Sequence, residues 1–120
     1  MKVRKLSLKR IFKALENLGL SQKEAQIYVF LEKNGAQKNR DIAKALKMRT
    51  NELIISLKNL QDKKIVRVSA QHIAEFSAVP FKQAIDLLIE VKKEKAQSLQ
   101  ERKMELLASW QSMMKNSENN

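Results

Sequence analysis

The side chains of this sequence that could carry chemistry are basic and amide groups rather than catalytic ones. The chain has a single histidine, His72, and no cysteine. Its 13 Asp and Glu residues form no cluster that would serve as a base or a ligand set, so the sequence predicts no enzyme, no metal site and no cofactor. Lys and Arg number 24, and these groups, together with Asn, are the donors that suit phosphate oxygens and base edges.

The basic residues are unevenly distributed along the chain. Residues 1–80 hold 17 Lys and Arg against 7 Asp and Glu, a net charge of +10, whereas residues 81–120 hold 7 against 6, a net charge of +1. The first 13 residues carry six basic residues and no acidic one. This segregation indicates that the first part of the chain faces a polyanion. A basic surface maintained for solubility is the alternative.

Apolar spacing and helix-stop signals indicate which elements would position these groups. Ser21-Gln22-Lys23-Glu24 has the S-x-x-E form of a capping box, and Gly19 and Asn34-Gly35 suit helix ends. The spacing predicts helices at about residues 7–18, 21–34, 39–47 and 50–63. The last two are joined by a short junction at Met48-Arg49. Two short helices joined in this way form a helix-turn-helix pattern.

After these helices the pattern changes to that of a β-hairpin. Ile65–Ser69 and Ile73–Ala78 are rich in residues that favour strands, and alternation predicts one buried face, formed by Val66, Val68, Ala74, Phe76 and Ala78. The turn has no Asn-Gly or Asp-Gly, so we expect a short or irregular wing. Helices followed by a hairpin predict a winged helix-turn-helix domain over residues 1–79. The predicted fold class is mainly α with a small β-hairpin.

A long helix is predicted from Pro80 to about Lys115, because no helix-breaking residue interrupts this segment. It would measure ~54 Å at about 1.5 Å per residue. Seven apolar residues of this segment have the alternating four-three spacing of a coiled-coil seam, which Lys92 and Lys103 interrupt. They are Ile85, Ile89, Ala96, Leu99, Leu106, Trp110 and Met113. We expect this stripe to pair with a second copy, in parallel or antiparallel arrangement. A helix folded back on its own domain is the alternative. The polar residues 116–120 are expected to be disordered.

The segment Leu18-Gly19-Leu20-Ser21-x-x-Glu24-Ala25-x-Ile27-Tyr28 resembles the start of the TrmB family of archaeal transcription regulators. The resemblance covers about residues 15–80 and continues through Leu31, Gly35, Asp41-Ile42-Ala43, Leu53, Leu57, Leu60 and Ile65-Val66. It implies a winged helix that binds DNA. Full-length relatives also carry a large carboxy-terminal domain that binds sugars. Only the long helix follows here, so the resemblance implies no small-molecule ligand.

The sequence departs from the family pattern at three places next to the predicted recognition helix. The usual Val-Pro-Arg before that helix is replaced by Met48-Arg49 without proline. The usual tyrosine on the helix corresponds to Ile55, and the glycine before the wing is replaced by Lys64. These departures predict that any DNA sequence recognised by relatives does not transfer to this chain.

A leucine stripe on the recognition helix, about residues 50–63, indicates which side chains face DNA. If Leu53, Leu57 and Leu60 point inward, the opposite face and its flanks hold the other side chains. Contacts with bases in the major groove are expected from Arg49, Asn51, Ile55, Lys58 and Asn59. With the wing at residues 65–78 on the DNA backbone, phosphate contacts are expected from Lys38, Arg40, Lys44, Lys47 and Arg67. Solvated surface lysines are the alternative.

Taken from sequence, the function is that of a homodimeric, sequence-specific regulator that binds double-stranded DNA in the cytoplasm, associated with the nucleoid. An architectural chromatin protein of the same build and a protein-interaction module of the transcription machinery are the alternatives. The aromatic content of 5% disfavours an RNA-binding platform that stacks bases. No apolar run approaches the ~20 residues needed to span a bilayer, so no membrane partner is expected.

Overall fold

The computed structural model describes the backbone of residues 2–118 and the side chains of residues 7–116. In chain order the elements are α1 (Lys2–Asn17), α2 (Gln22–Asn34), β1 (Gln37–Lys38), α3 (Asn39–Leu46), α4 (Thr50–Asp62), β2 (Val66–Val68), β3 (Glu75–Ala78) and α5 (Phe81–Glu118). The predicted class is confirmed, since helices dominate and a small antiparallel sheet accompanies them. Two compact units are formed, Met1–Ile89 and Glu90–Asn120.

The helix α2 begins with the capping box that the sequence predicts. The backbone N–H of Glu24 donates to Ser21 Oγ at 3.1 Å, and the backbone N–H of Ser21 donates to Glu24 Oε1 at 3.2 Å. These two bonds satisfy donors that the first turn of a helix otherwise leaves without partners. The helix ends at Asn34, and Gly35 follows with a φ of 78°.

Within residues 2–118, four helices are followed by a residue with a positive φ: Gly19, Gly35, Lys47 and Lys64 have φ values of 110°, 78°, 53° and 66°. After α4, the N–H of Ile65 donates to the carbonyl of Leu60 at 3.2 Å, and the N–H of Lys64 donates to that of Gln61 at 2.9 Å. This pair of bonds is a Schellman motif, and the buried side chains of Ile65 and Leu60 provide its apolar contact. Lys64 therefore adopts the conformation expected of the glycine it replaces.

The sheet formed by the described residues has the strand order β1-β3-β2 and is antiparallel throughout. The hairpin was predicted, but β1, which pairs with β3 at Gln37 opposite Phe76, was not. The prediction that Val68 shares a buried face with Val66 is wrong, because Val68 is 46% exposed and Val66 is 3% exposed. Val68 is the last residue of the edge strand β2, opposite Phe76 of the central strand β3, and unlike Val66 it is not part of the core.

The core of the first unit joins its helices to one face of the sheet. The predicted leucine stripe of α4 is confirmed, and the other fully buried large side chains include Leu15, Ile27, Tyr28, Leu31, Ile42 and Ile65. Ala84 and Leu88 of α5 are 0% and 2% exposed and belong to the same core. The first unit therefore extends to Ile89 rather than ending at residue 79, because the first turns of α5 pack on it.

The ends of two helices differ from the sequence-based bounds. The first helix was expected from about residue 7, but α1 begins at Lys2. The last helix was expected to end at about Lys115, but α5 continues to Glu118, so residues 116–118 of the expected disordered tail are helical. Residues 119 and 120 of that tail lie outside the described residues. None of the helices formed by residues 2–118 combines the length and apolar character that crossing a bilayer requires.

Candidate nucleic-acid interface

The face of α4 opposite its buried leucines is open to solvent. Asn51, Ile55 and Lys58 are exposed there, and Ile55 is 62% exposed. Ile54 is also 52% exposed and was not among the predicted contact residues. Its position about 100° round the helix from Leu53 is the signal that would have indicated it. The outward surface of α4 thus combines amide, basic and apolar groups.

The start of α4 is fixed by its neighbours rather than by a side-chain cap. Arg49 is the N-cap residue in an extended conformation, and its side chain makes no capping bond. In the first turn of α4, the carboxylate of Glu52 forms an ion pair with Lys23 Nζ of α2 at 3.0 Å. The hydrogen bond from Lys23 holds the pKa of the exposed Glu52 carboxyl below its usual value. Arg49 and Asn51 are both exposed at the helix start.

A buried carboxylate connects α2 to the end of α4. Glu24 is 5% exposed, and its Oε2 accepts from Asn59 Nδ2 at 3.0 Å while its Oε1 accepts from Lys63 Nζ at 3.2 Å. Burial alone would raise the pKa of Glu24, but the hydrogen bonds from Asn59, Ser21 and Lys63 and the charge of Lys63 outweigh it, so the pKa is lowered. The expectation that Asn59 contacts a base is thus not supported by its position, because its amide is engaged with Glu24.

The residues expected to contact phosphate lie at the end of β1, on α3, on the turn that follows α3, and on the wing. Lys38 and Arg40 line one surface cleft with Ile73 and Ala74 of the wing loop, so the structure brings the start of α3 next to the wing tip. Lys44 is exposed on α3 and Lys47 on the turn toward α4. Arg67 is exposed on β2, where it pairs with Ser77 of β3. Among the described residues, no His, Asp and Glu side chains form a group that would hold a metal ion.

The second unit, Glu90–Asn120, is a helix with an uncovered apolar stripe. The expected seam residues Leu99, Leu106, Trp110 and Met113 are 63%, 61%, 59% and 61% exposed. Leu107 and Met114 widen this stripe and are also exposed. Ile85, which was assigned to the same seam, instead packs in part against the core of the first unit. The assignment of Ile85 to a dimer seam is therefore corrected in part, because its own domain already covers some of its surface.

These elements define the class of the protein: it is a winged helix-turn-helix transcription regulator, with α3 and α4 as the helix pair and the β2–β3 hairpin as the wing. Residues 15–82 match the family described as sugar-specific transcriptional regulator TrmB, and the chain belongs to this family. The match covers the resemblance noted from the sequence. No curated protein matches the chain significantly.

Solved structures of regulators share this fold. A possible transcriptional regulator from Methanosarcina mazei superposes with a TM-score of 0.61 at 17% identity, over 78% of this chain and 85% of that one. A transcriptional regulator from Thermotoga maritima gives 0.58 at 13% identity, over 99% and 92%. A mutant of MepR from Staphylococcus aureus, solved bound to an oligodeoxyribonucleotide, gives 0.54 at 18% identity, over 96% and 93%. At such identities the likeness is one of fold.

Proposed function

We propose that this chain is a sequence-specific regulator that binds double-stranded DNA as a homodimer. In this proposal α4 enters the major groove and the β2–β3 wing lies on the backbone. The observation that carries it is the exposed face of α4, where Asn51, Ile55 and Lys58 project on successive turns beside the basic turn after α3. A rigid helix with donors and an apolar contact on its free face suits the pattern of groups in a major groove.

Each group on this face has a chemical counterpart among the bases. The amide of Asn51 can form two hydrogen bonds with the N6 and N7 atoms of adenine, and the methyl groups of Ile55 can contact the methyl group of thymine. Arg49 and Lys58 are donors for guanine or for phosphate. We assign base recognition to these four residues and leave Asn59 out, because Asn59 is bonded to Glu24.

The phosphate contacts follow from the same orientation. Lys38 and Arg40 flank the wing tip, and Lys44 and Lys47 lie on α3 and the turn that precedes α4. Arg67, exposed on β2 of the wing, adds a further charge. Contacts of this kind fix register and orientation without reading sequence. The MepR mutant, whose structure contains an oligodeoxyribonucleotide, has the same fold and supports this class of ligand.

The homodimer is proposed from the second unit. Leu99, Leu106, Trp110 and Met113 share one side of α5 at coiled-coil spacing, and each is about 60% exposed in a single chain. Exposed apolar stripes of this length mark association surfaces. A second copy would cover this stripe and would present two recognition helices to half-sites about 34–36 Å apart for a spacing of one helical turn.

The direct test is fluorescence anisotropy of the full chain with a labelled duplex at increasing salt. Affinity should fall with a log–log slope of about −0.9 per neutralised phosphate. The paired substitution Lys44→Gln and Arg67→Gln should make the slope shallower by about 2. A matched variant, Lys95→Gln with Lys115→Gln, removes the same charge from the second unit and should leave the slope near that of the parent. A flat salt dependence in the parent chain would rule out the proposal.

A second candidate is a protein-interaction module, favoured by the adjacent exposure of Ile54 and Ile55 on α4. Two isoleucines side by side form an apolar contact that a partner protein would also cover. The same titration separates the candidates. A module of this second kind would show weak duplex binding in low salt that Asn51→Ala does not change for any sequence.

A further inference from the structure

We propose that the outer face of α1 is a second DNA-binding surface, which holds the phosphate backbone of another duplex, so that one protomer bridges two DNA segments. This inference rests on the proposed function, because the first duplex is the one bound by α4. The outer face consists of Lys9, Arg10 and Lys13. It would contact phosphates only and would carry no sequence preference.

The helix α1 is amphipathic, with its charged side turned away from the core. Leu15 is fully buried, and Ile11 packs against the same core. At 3.6 residues per turn, Lys9, Arg10 and Lys13 point about 120–160° away from Leu15. All three are exposed. The basic groups therefore form one surface on the side of α1 opposite the apolar stripe.

No ion pair in the described part of the chain neutralises this surface, and the acidic residue of α1, Glu16, lies one turn along from Lys13 without pairing with it. The ion pairs formed by side chains 7–116 involve Lys23, Lys63 and Lys82, and none engages Lys9, Arg10 or Lys13. Residues 1–13 contain six basic residues and no acidic one. Three like charges within two turns of a helix repel each other, and a polyanion removes that repulsion.

The helix α2 separates this basic face from the recognition helix. On one side of α2, Ala25 and Gln26 line a cleft together with Phe12 and Glu16 of α1. On the other side, Lys23 and Glu24 bond to residues of α4. The mean directions of the two sets are about 160° apart around the axis of α2 at 3.6 residues per turn.

The two charged faces are therefore on opposite sides of the domain. Packed helix axes lie about 8–10 Å apart, so α1 and α4, which both pack on α2, can be separated by up to roughly 16–20 Å. A straight duplex seated on α4 lies on the far side of α2 from Lys9 and Lys13. A polyanion bound by α1 is thus a separate segment of DNA.

The chemistry of the outer face selects DNA phosphate over a bilayer. A helix that lies in a membrane surface inserts its apolar side, and here the apolar side of α1 is packed against the core. The outer face, formed by Lys9, Arg10 and Lys13, contains no aromatic side chain on which an unpaired base would stack. This disfavours single-stranded nucleic acid as its ligand. Point charges on a convex helix suit the regular phosphates of a duplex.

A capture assay with the full chain tests the inference. One random-sequence duplex is fixed to beads, and retention of a second, labelled duplex is measured at low salt; anisotropy measures binding to one duplex in parallel. The variant carries Lys9→Gln, Arg10→Gln and Lys13→Gln, which are exposed positions where Gln retains helix propensity. The matched control carries Lys95→Gln, Arg102→Gln and Lys115→Gln, which remove the same charge from the second unit.

The parent and the control should retain the second duplex, and the α1 variant should lose at least tenfold of that retention while binding one duplex nearly as well as the control. Equal retention by the α1 variant and the control would assign bridging to the two recognition helices of a dimer and overturn the inference. A loss of single-duplex binding specific to the α1 variant would place α1 on the same duplex and would also overturn it. If the parent binds one duplex but retains no second one, the inference fails and the proposed function stands. If the parent binds no duplex, the proposed function itself fails.

Discussion

The hydroxyl of Tyr28, in the middle of α2, donates a hydrogen bond of 2.7 Å to the carbonyl oxygen of Val79, which follows the last residue of β3. Both residues are buried, and burial raises the pKa of Tyr28, so the hydroxyl remains a donor. The N–H of Val79 donates to the carbonyl of Ile65 at 2.9 Å. The peptide groups around Val79 are thus held from both sides at the point where the chain leaves the wing for α5.

Replacing Tyr28 with Phe should destabilise the fold by about 1–3 kcal/mol, because the buried carbonyl of Val79 loses its partner while the ring stays in place. Chemical denaturation measures this loss. The denaturant slope should not change, since the folded state remains compact. A loss that is too small to measure would mean that water or another donor reaches the Val79 carbonyl.

The carboxylate of Glu24 should make stability depend on pH in the acid range. Its folded-state pKa is lowered below the ordinary value of 4.5, so its contribution is present above pH 4.5 and is lost as the pH falls toward the folded-state value. Glu24→Gln should therefore be less stable than the parent at pH 7, and the difference should shrink below pH 4.5.

Urea denaturation of both proteins at pH 7 and in the acid range checks this expectation. Glu16→Gln, which removes an exposed carboxylate from α1, is the matched control and should follow the parent at each pH. A difference between Glu24→Gln and the parent that stays constant with pH would show that the hydrogen bonds of Glu24 do not depend on its charge.

Lys64→Gly should raise the stability of the first unit by up to about 1 kcal/mol. A residue other than glycine in the left-handed region costs about 1–2 kcal/mol, and the extra freedom of glycine in the unfolded chain offsets part of that gain. Lys13→Gly, in an exposed helical position, removes the same charge and should lower stability by about 0.5–1 kcal/mol. Thermal unfolding of both variants gives the comparison. A destabilised Lys64→Gly would reveal a contact of the lysine side chain that outweighs backbone strain.

Two substitutions should distinguish base recognition by α4 from phosphate binding. Asn51→Ala should weaken binding to a cognate site by about 1–3 kcal/mol and change binding to random DNA little, because the amide contacts a base edge. Lys44→Ala should weaken both by similar amounts, because phosphates are present in every sequence. Selection from a random duplex pool supplies the cognate site. Equal losses for Asn51→Ala on both DNAs would assign Asn51 to positioning.

Ending the chain after Ile89 should leave a folded monomer with much weaker binding to a two-half-site duplex. A chain that ends after Ile89 keeps Ala84 and Leu88, which are buried in the core of the first unit. The loss arises because two weak contacts are no longer joined in one molecule. Sedimentation of the full chain and of the shortened one measures the assembly. A monomeric full chain at tens of micromolar protein would contradict the homodimer and leave the winged helix unaffected.

The helices and the hairpin were predictable because their signals are local. The S-x-x-E pattern at Ser21 and the stripe of Leu53, Leu57 and Leu60 each specify structure within a few residues. The strand β1 has two residues and no alternation of its own, and it exists because it pairs with β3. No local signal indicates such a strand, since its pairing partner lies far along the chain.

The candidate site was predictable where it depends on helical periodicity and not where it depends on long-range contacts. The exposure of Asn51, Ile55 and Lys58 follows from the direction of the leucine stripe. The hydrogen bond between Asn59 and Glu24 joins residues 35 positions apart, so no short stretch of the sequence indicates it. Similarly, Ile85 has the spacing of a seam residue, but its placement in the first turns of α5 brings it against the core.

The residues that adopt a left-handed conformation after α3 and α4 are lysines, Lys47 and Lys64. Relatives of this chain can therefore differ in residue type at these positions while keeping the same backbone path. The direction in which the chain leaves each helix is held by backbone hydrogen bonds and by a buried contact such as that of Ile65 with Leu60, and none of these bonds requires a particular side chain at Lys64. Substitution from glycine to lysine at that position is therefore a tolerated mutational step with a modest cost in stability. Sequence patterns anchored on that glycine would overlook family members whose backbone follows the same path.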